Sequence, residues 1–378
     1  MQLYGQSTIS EFLGDNIAFR SLNPLDTRLP SLDELRASVR IPNQGVPRKT
    51  SADYASLISH LLKRARALKA PRTKITQLIF VGDTRLNDAT AFNKICAAGD
   101  WPGLAFICEE NSQEQAYAEV LKKEENRIIY IANRWELLNN FDQLLDRHDF
   151  VIDERTAIIL DIDKTCLGAR GRNDKVINQA RVDAAFKTVR SLIGDQFDDE
   201  AFEDSYNLFH TPEFHGFTTD NQDYLVYLCL IVSTGLYTKD RLADEILSRR
   251  IFRFDSLLID VEQHANKLPA GVREIHKDFY SRVRQGDPTP FKAFRAQEFL
   301  STVARMGNLG DDVPMETRLT QEIVITEEVR NRAIDWNRRG ALLFGLSDKP
   351  DEASVPTAEL ASQGYLPLHQ VETHVVGA

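Results

Sequence analysis

Short apolar runs alternate with amphipathic stretches through the first half of the chain. TQLIFVGDTRLND, LAFICEE, RIIYIAN and the run at 157–161 are brief, rich in β-branched and aromatic residues, and bounded by polar residues, which predicts buried strands. Between them, ATAFNKICAAG, QEQAYAEVLKK and WELLNNFDQLLDRH read as helices, as does 50–69, where Tyr54, Leu57, Ile58, Leu61 and Leu62 recur at helical spacing. Strands alternating with helices predict an α/β protein with a doubly wound, Rossmann-like parallel sheet. From about 170 to 320 the pattern changes. QARVDAAFKTVRSLIG, DYLVYLCLIVSTGLY, KDRLADEILSRR, GVREIHKDFYSRVR and PFKAFRAQEFLSTVARM read as helices, an all-helical insertion the size of a domain. The α/β pattern then returns with a helix from its N-cap Thr326 to Gly340, a strand ending at Ser347, and a last strand in HQVETHVVG. Residues 1–48 read as an irregular extension with one helical stretch near SLDELRASV. The predicted division is therefore 1–48, a first core part 49–168, the helical insertion 169–322, and a second core part 323–378.

A chain of 378 residues suits that division. The net charge of −10 argues against broad binding to nucleic acid or to an anionic membrane, since both would repel it. The cations Lys63, Arg64, Arg66 and Lys69 fall on one helix face and read as a solvated surface. No run approaches the ~18 apolar residues of a membrane span, and MQLYGQSTISEF has neither the basic nor the apolar part of a secretion signal. Cys96, Cys108, Cys166 and Cys229 show neither close pairing nor zinc-ligand spacing. A reduced, cytoplasmic location is the expectation.

The most informative segment is AIILDIDKT, residues 157–165, where an apolar strand delivers Asp161 and Asp163 at i and i+2. Ligands of open α/β sheets bind at the carboxyl ends of strands. Two acids there can hold a hard cation, attack an electrophile and shuttle a proton. The plainer reading is a strand followed by a capped turn.

The LDIDKT segment resembles the first signature of the haloacid dehalogenase-like (HAD) hydrolases, a superfamily of mostly Mg²⁺-dependent phosphatases. Three further motifs of that family have counterparts. VGDTRLND resembles the fourth, with Asp83 and Asp88; Lys49 precedes a helix as the third-motif Lys does; and the strand ending at Ser347 resembles the second. Along the chain they run third, fourth, first, second, the family order cut between the second and third motifs. The resemblance therefore implies a circularly permuted HAD-like core whose helical insertion falls where the family places a mobile cap. A linear assignment competes, with Ser233 or Thr234 as second motif, Lys292 as third, and Asp348 with Asp351 or Glu352 as fourth.

On the permuted reading the resemblance implies phosphoryl transfer through an aspartyl-phosphate. Asp161 is the nucleophile, and Asp163 the general acid and base. Lys49 offsets charge, and Ser347 binds a phosphate oxygen. Mg²⁺ is held by Asp161, the Asp163 backbone carbonyl, Asp83, and Asp88 or Asn87. A small phosphorylated substrate enclosed by the cap is the expected partner; a non-catalytic binding protein or a phosphotransferase remain open. Taken singly, Asp83 is also a turn residue, Lys49 a surface lysine and Ser347 an N-cap. After the first motif, Arg170 and Arg172 form either a flap that meets an anionic substrate or a solvated loop. TPEFHGFTTDNQDY gathers His210, Phe214, His215 and Phe217 without a helical period, either as a pocket-lining loop or as buried structural residues.

Overall fold

The computed structural model describes residues 1–42, 45–124 and 126–378. They form two compact units, Met1–Gln179 together with Thr302–Ala378, and Ala180–Ser301. The two divisions fall inside the helices Asp174–Ile193 and Lys292–Val303 rather than at the predicted 169 and 322.

Ten strands belong to the first unit. In chain order they are β1 (Gln2–Ser7), β2 (Ile17–Ala18), β3 (Gln77–Gly82), β4 (Gly103–Cys108), β5 (Ala118–Glu124), β6 (Arg127–Ala132), β7 (Thr156–Asp161), β8 (Ile325–Thr326), β9 (Leu342–Leu346) and β10 (Thr373–Gly377). The main sheet has the order β2-β9-β7-β3-β4-β6-β5, and every neighbouring pair is parallel except the β5–β6 hairpin. Its central strands are continuous apolar runs because helices cover both faces. On one face Phe80, Ala105 and Ile159 pack with the helices Leu32–Val39, Ala52–Lys69 and Asn87–Gly99. On the other, Phe106 meets Phe141 edge-on at 5.7 Å, and Phe141 meets Trp336 at 6.3 Å. From β3 the chain winds outward to β4 and β6, and from β7 outward the other way to β9. The order therefore reverses between β3 and β7, and the crevice at their carboxyl ends is the default ligand site.

Three elements differ from the sequence reading. QEQAYAEVLKK was expected to be helical, but Ala118–Glu124 is the antiparallel edge strand β5, because pairing with Arg127–Ala132 overrides its helix-favouring composition. Residues 1–48 are no separate extension. β2 is an edge strand of the main sheet, with Ile17 opposite Gly345, and Leu22, Leu29, Leu32 and Leu35 join its core. The final strand lies outside the main sheet, in a three-stranded sheet of order β1-β10-β8. There the first and last strands pair antiparallel, Gln2 opposite Gly377 and Ser7 opposite Thr373.

The linear assignment keeps a strand only before Asp348, which follows β9. Ser233 ends the helix Gln222–Ser233, Lys292 begins a helix, and Asp351 accepts bonds from Ser21 N–H and Oγ at 2.7 Å. Among the described residues no helix is long and apolar enough to cross a membrane.

The helical unit has its own aromatic core, in which Tyr227 stacks on Phe279 at 4.2 Å and Tyr224 on Phe254 at 4.0 Å. Pro212–Thr218 is a short helix, so Phe214 and Phe217 are core residues; half-buried His215 bonds the His210 carbonyl. Buried His276 bridges the Tyr227 hydroxyl (2.6 Å) and Glu262 (2.9 Å). Burial lowers its pKa below the ordinary 6.5, against Glu262, and does the same to His369 in the first unit. Both are neutral in the fold near pH 7, whereas in the unfolded chain they take up protons below about 6.5. The two histidines' contribution to stability is therefore expected to fall as pH drops below about 6.5, by up to about 1.4 kcal/mol per pH unit for each, and to level off below the folded-state values, against the opposite contribution of the raised carboxyls Asp83 and Asp161. Urea unfolding between pH 7.5 and 5.5 measures this slope, and His276→Gln should flatten it.

Candidate active site

The strand ends bring the acids together. β7 ends at Asp161 and its neighbour β3 at Gly82, so Asp161 and Asp83 leave adjacent strands at the point where the sheet reverses. Asp88, in the first turn of the helix after β3, folds back. Its Oδ2 accepts the N–H groups of Asp83 (2.9 Å) and Thr84 (2.8 Å) and the Thr84 hydroxyl (2.9 Å). Only glycine permits this at position 82, because a Cβ there would stand 2.7 Å from that oxygen. Carboxylate oxygens of Asp83, Asp88 and Asp161 all lie within 4.8 Å of one another, and all three residues are buried.

Lys49 reaches this cluster from just before the helix Ala52–Lys69, whose N-cap is Ser51. Its ammonium, 6% exposed, donates to Asp161 Oδ1 at 2.6 Å and lies 2.5 Å from Asp88 Oδ1. The second approach is a buried ion pair, so both Asp161 and Asp88 share the one ammonium. Burial would lower the Lys49 pKa, but Asp161 and Asp88 outweigh it and hold the lysine well above its ordinary value. Burial pushes Asp161 well above the carboxylate range; Lys49 opposes the shift, and Asp88 and Asp83 add to it. Asp83 is pushed up to about 7 by burial and by Asp88, with Arg170 opposing. Asp88 goes the other way. Lys49 and the Thr84 N–H overcome its burial and hold it down at about 2.

Such a site is short of positive charge. Three carboxylate oxygen donors converge, and that donor set fits a hard divalent cation such as Mg²⁺ or Ca²⁺. The Asp163 carboxylate is not one of the three. Asp163 is half-buried beyond the strand end and lines an adjoining cavity of about 20 Å³, room for about one water, with Ser347, Lys349 and His369. Ser347 follows β9 directly, and its Oγ accepts the Lys349 N–H at 3.1 Å, a turn contact that leaves its proton available. The structure thus gathers Asp83, Asp88, Asp161 and Lys49 at one centre and Asp163 with Ser347 at a neighbouring one. Lys349 is an addition that no periodicity or motif in the chain signals.

The loop after β7 is neither a mobile flap nor a solvated turn. Arg172 is a buried bridge, 2.8 Å from Glu110 and 2.9 Å from Glu328, with its side chain 2% exposed. Gly171 adopts φ +77° against the Glu110 carbonyl, where a Cβ would be 1.9 Å from oxygen. Arg170, expected either to meet an anionic substrate or to lie in a solvated loop, instead pairs with a carboxylate of the cluster. Its Nε donates to Asp83 Oδ2 at 2.5 Å.

Scans against protein-family models and searches of curated proteins and of solved structures found no match to this chain.

Proposed function

We propose that this chain is a circularly permuted HAD-like phosphohydrolase that cleaves a small phosphomonoester with the help of Mg²⁺. The observation that carries the reading is the Lys49 ammonium between Asp161 and Asp88, at the reversal point of a parallel sheet. The strands ending in the expected first, second and fourth motifs are neighbours, in the order β9-β7-β3. A cut between the second and third motifs needs the segments before Lys49 and after Ser347 to lie together, and β2 beside β9 and β1 beside β10 support that.

In this reading an Asp161 oxygen attacks phosphorus and forms the O–P bond of an aspartyl-phosphate, while the bond from phosphorus to the substrate oxygen breaks. Asp163 gives its proton to the leaving alkoxide. It then takes one from the water that attacks the acyl phosphate, releasing inorganic phosphate and restoring Asp161. Lys49 favours the ionised nucleophile, and the Ser347 hydroxyl donates to a phosphoryl oxygen. Asp161, Asp83, Asp88 and the Asp163 carbonyl would hold Mg²⁺, which when bound supplies positive charge to the phosphoryl oxygens and to Asp161.

The test is phosphate release from a panel of phosphomonoesters with and without Mg²⁺. Turnover that requires the metal and stops on chelation is expected. A panel that yields none, or turnover indifferent to chelation, contradicts the proposal.

A further inference from the structure

The exposed side of the carboxylate cluster is closed by one cation. Arg170 donates Nε to Asp83, and among the described residues its guanidinium makes no other hydrogen bond. Its backbone is pinned on both sides. The Arg170 N–H donates to the Lys164 carbonyl (2.8 Å), its carbonyl accepts from Glu110 N–H (3.1 Å) and Trp135 Nε1 (3.2 Å), and buried Arg172 anchors the next residues. The side chain is 27% exposed, so it can turn while the loop stays in place.

Charge balance indicates why it would turn. With all three carboxylates ionised, they outnumber Lys49 and Arg170 by one charge, and further acids stand nearby, Glu109 and Asp174 at Arg170 and Asp348 at Lys49. A divalent cation taking the place of the guanidinium at Asp83 brings the three carboxylates and Lys49 to neutrality. An incoming phosphate then needs a new cation, and a planar guanidinium with both terminal nitrogens uncommitted suits two of its oxygens.

We propose that Arg170 is an exchange residue, neutralising Asp83 until a divalent cation displaces it and then binding the phosphoryl group. This rests on the metal- and phosphate-binding reading above. It makes Arg170 a competitor of the metal and a ligand of the phosphate, two roles that pull a variant's affinities in opposite directions.

The experiment is calorimetric titration, without substrate turnover, of wild type, Arg170→Gln and Arg170→Lys. The probes are MgCl₂ alone, and then inorganic phosphate at saturating Mg²⁺. Arg170→Gln is expected to bind Mg²⁺ about tenfold more tightly, and phosphate about tenfold or more weakly. Arg170→Lys should keep the wild-type Mg²⁺ affinity more nearly than its phosphate affinity, because a point charge still competes but the fork is lost. Mg²⁺ affinity that is unchanged or weaker in Arg170→Gln, or phosphate affinity that is unchanged, overturns the exchange role while leaving the metal site intact. A folded wild-type chain that takes up no Mg²⁺ overturns the underlying reading, and the exchange role with it.

Discussion

Asp161→Asn is expected to abolish metal-dependent phosphate release, by about 10⁴-fold or more, without weakening the fold. The amide cannot form the acyl phosphate, and loss of a nucleophile that acts jointly with its neighbours removes nearly the whole rate enhancement. The fold should tolerate the change because Asn nearly matches Asp in shape. It also removes one of three mutually repelling buried acids and leaves Lys49 paired with Asp88 at 2.5 Å. Stability in chelator should stay level or rise, since Asp161 is a carboxyl that its surroundings hold far above its ordinary pKa. Single-turnover assay and urea unfolding of the same preparation give both halves. A variant that unfolds makes the lost activity uninformative, and one that keeps its turnover removes Asp161 from the nucleophile's role.

Lys49→Met carries the largest expected effect on stability. Its ammonium is the buried countercharge of both Asp161 and Asp88, and removing one partner of a buried ion pair costs about 3–5 kcal/mol. The variant's own stability should depend on metal. In chelator the full penalty is expected; with Mg²⁺ at a hundred times the variant's Kd, binding to its folded state raises its stability by about 2.7 kcal/mol. Urea unfolding of Lys49→Met with EDTA and then with MgCl₂ measures the difference. Equal stability of the variant in both conditions would mean that its carboxylate cluster holds no divalent cation.

Most of the main sheet was legible because its strands are buried on both faces and read as unbroken apolar runs, as in QLIFVG and TAIILD. The same logic fails where pairing, not composition, decides. Ala118–Glu124 carries helix-favouring residues and becomes a strand only through its hairpin partner. β2 is two residues long and is defined wholly by Gly345 and Leu346 beside it. The carboxylate centre was legible because Asp161, Asp83 and Asp88 follow apolar strands that a parallel sheet must align. The pairing of Arg170 with it was not, since nothing local distinguishes an arginine that meets Asp83 across 87 positions from one in a solvated turn. Lys349 stayed hidden for a related reason: its cavity is walled by residues far apart in the chain, among them Phe19, Ile177 and Leu368.

The closure of this sheet has a consequence for how the protein is made. β2 can dock only beside β9, and Arg20 meets Asp348 across 328 positions. At about 5–20 residues per second, a ribosome adds that much chain in tens of seconds. Through that interval the first residues to emerge have no partner, and β7 waits with its β9 edge bare. Nascent chains of this protein should therefore depend on chaperones that shield unpaired strand edges, and the proposed site comes together late in synthesis, when Ser347 and its strand arrive.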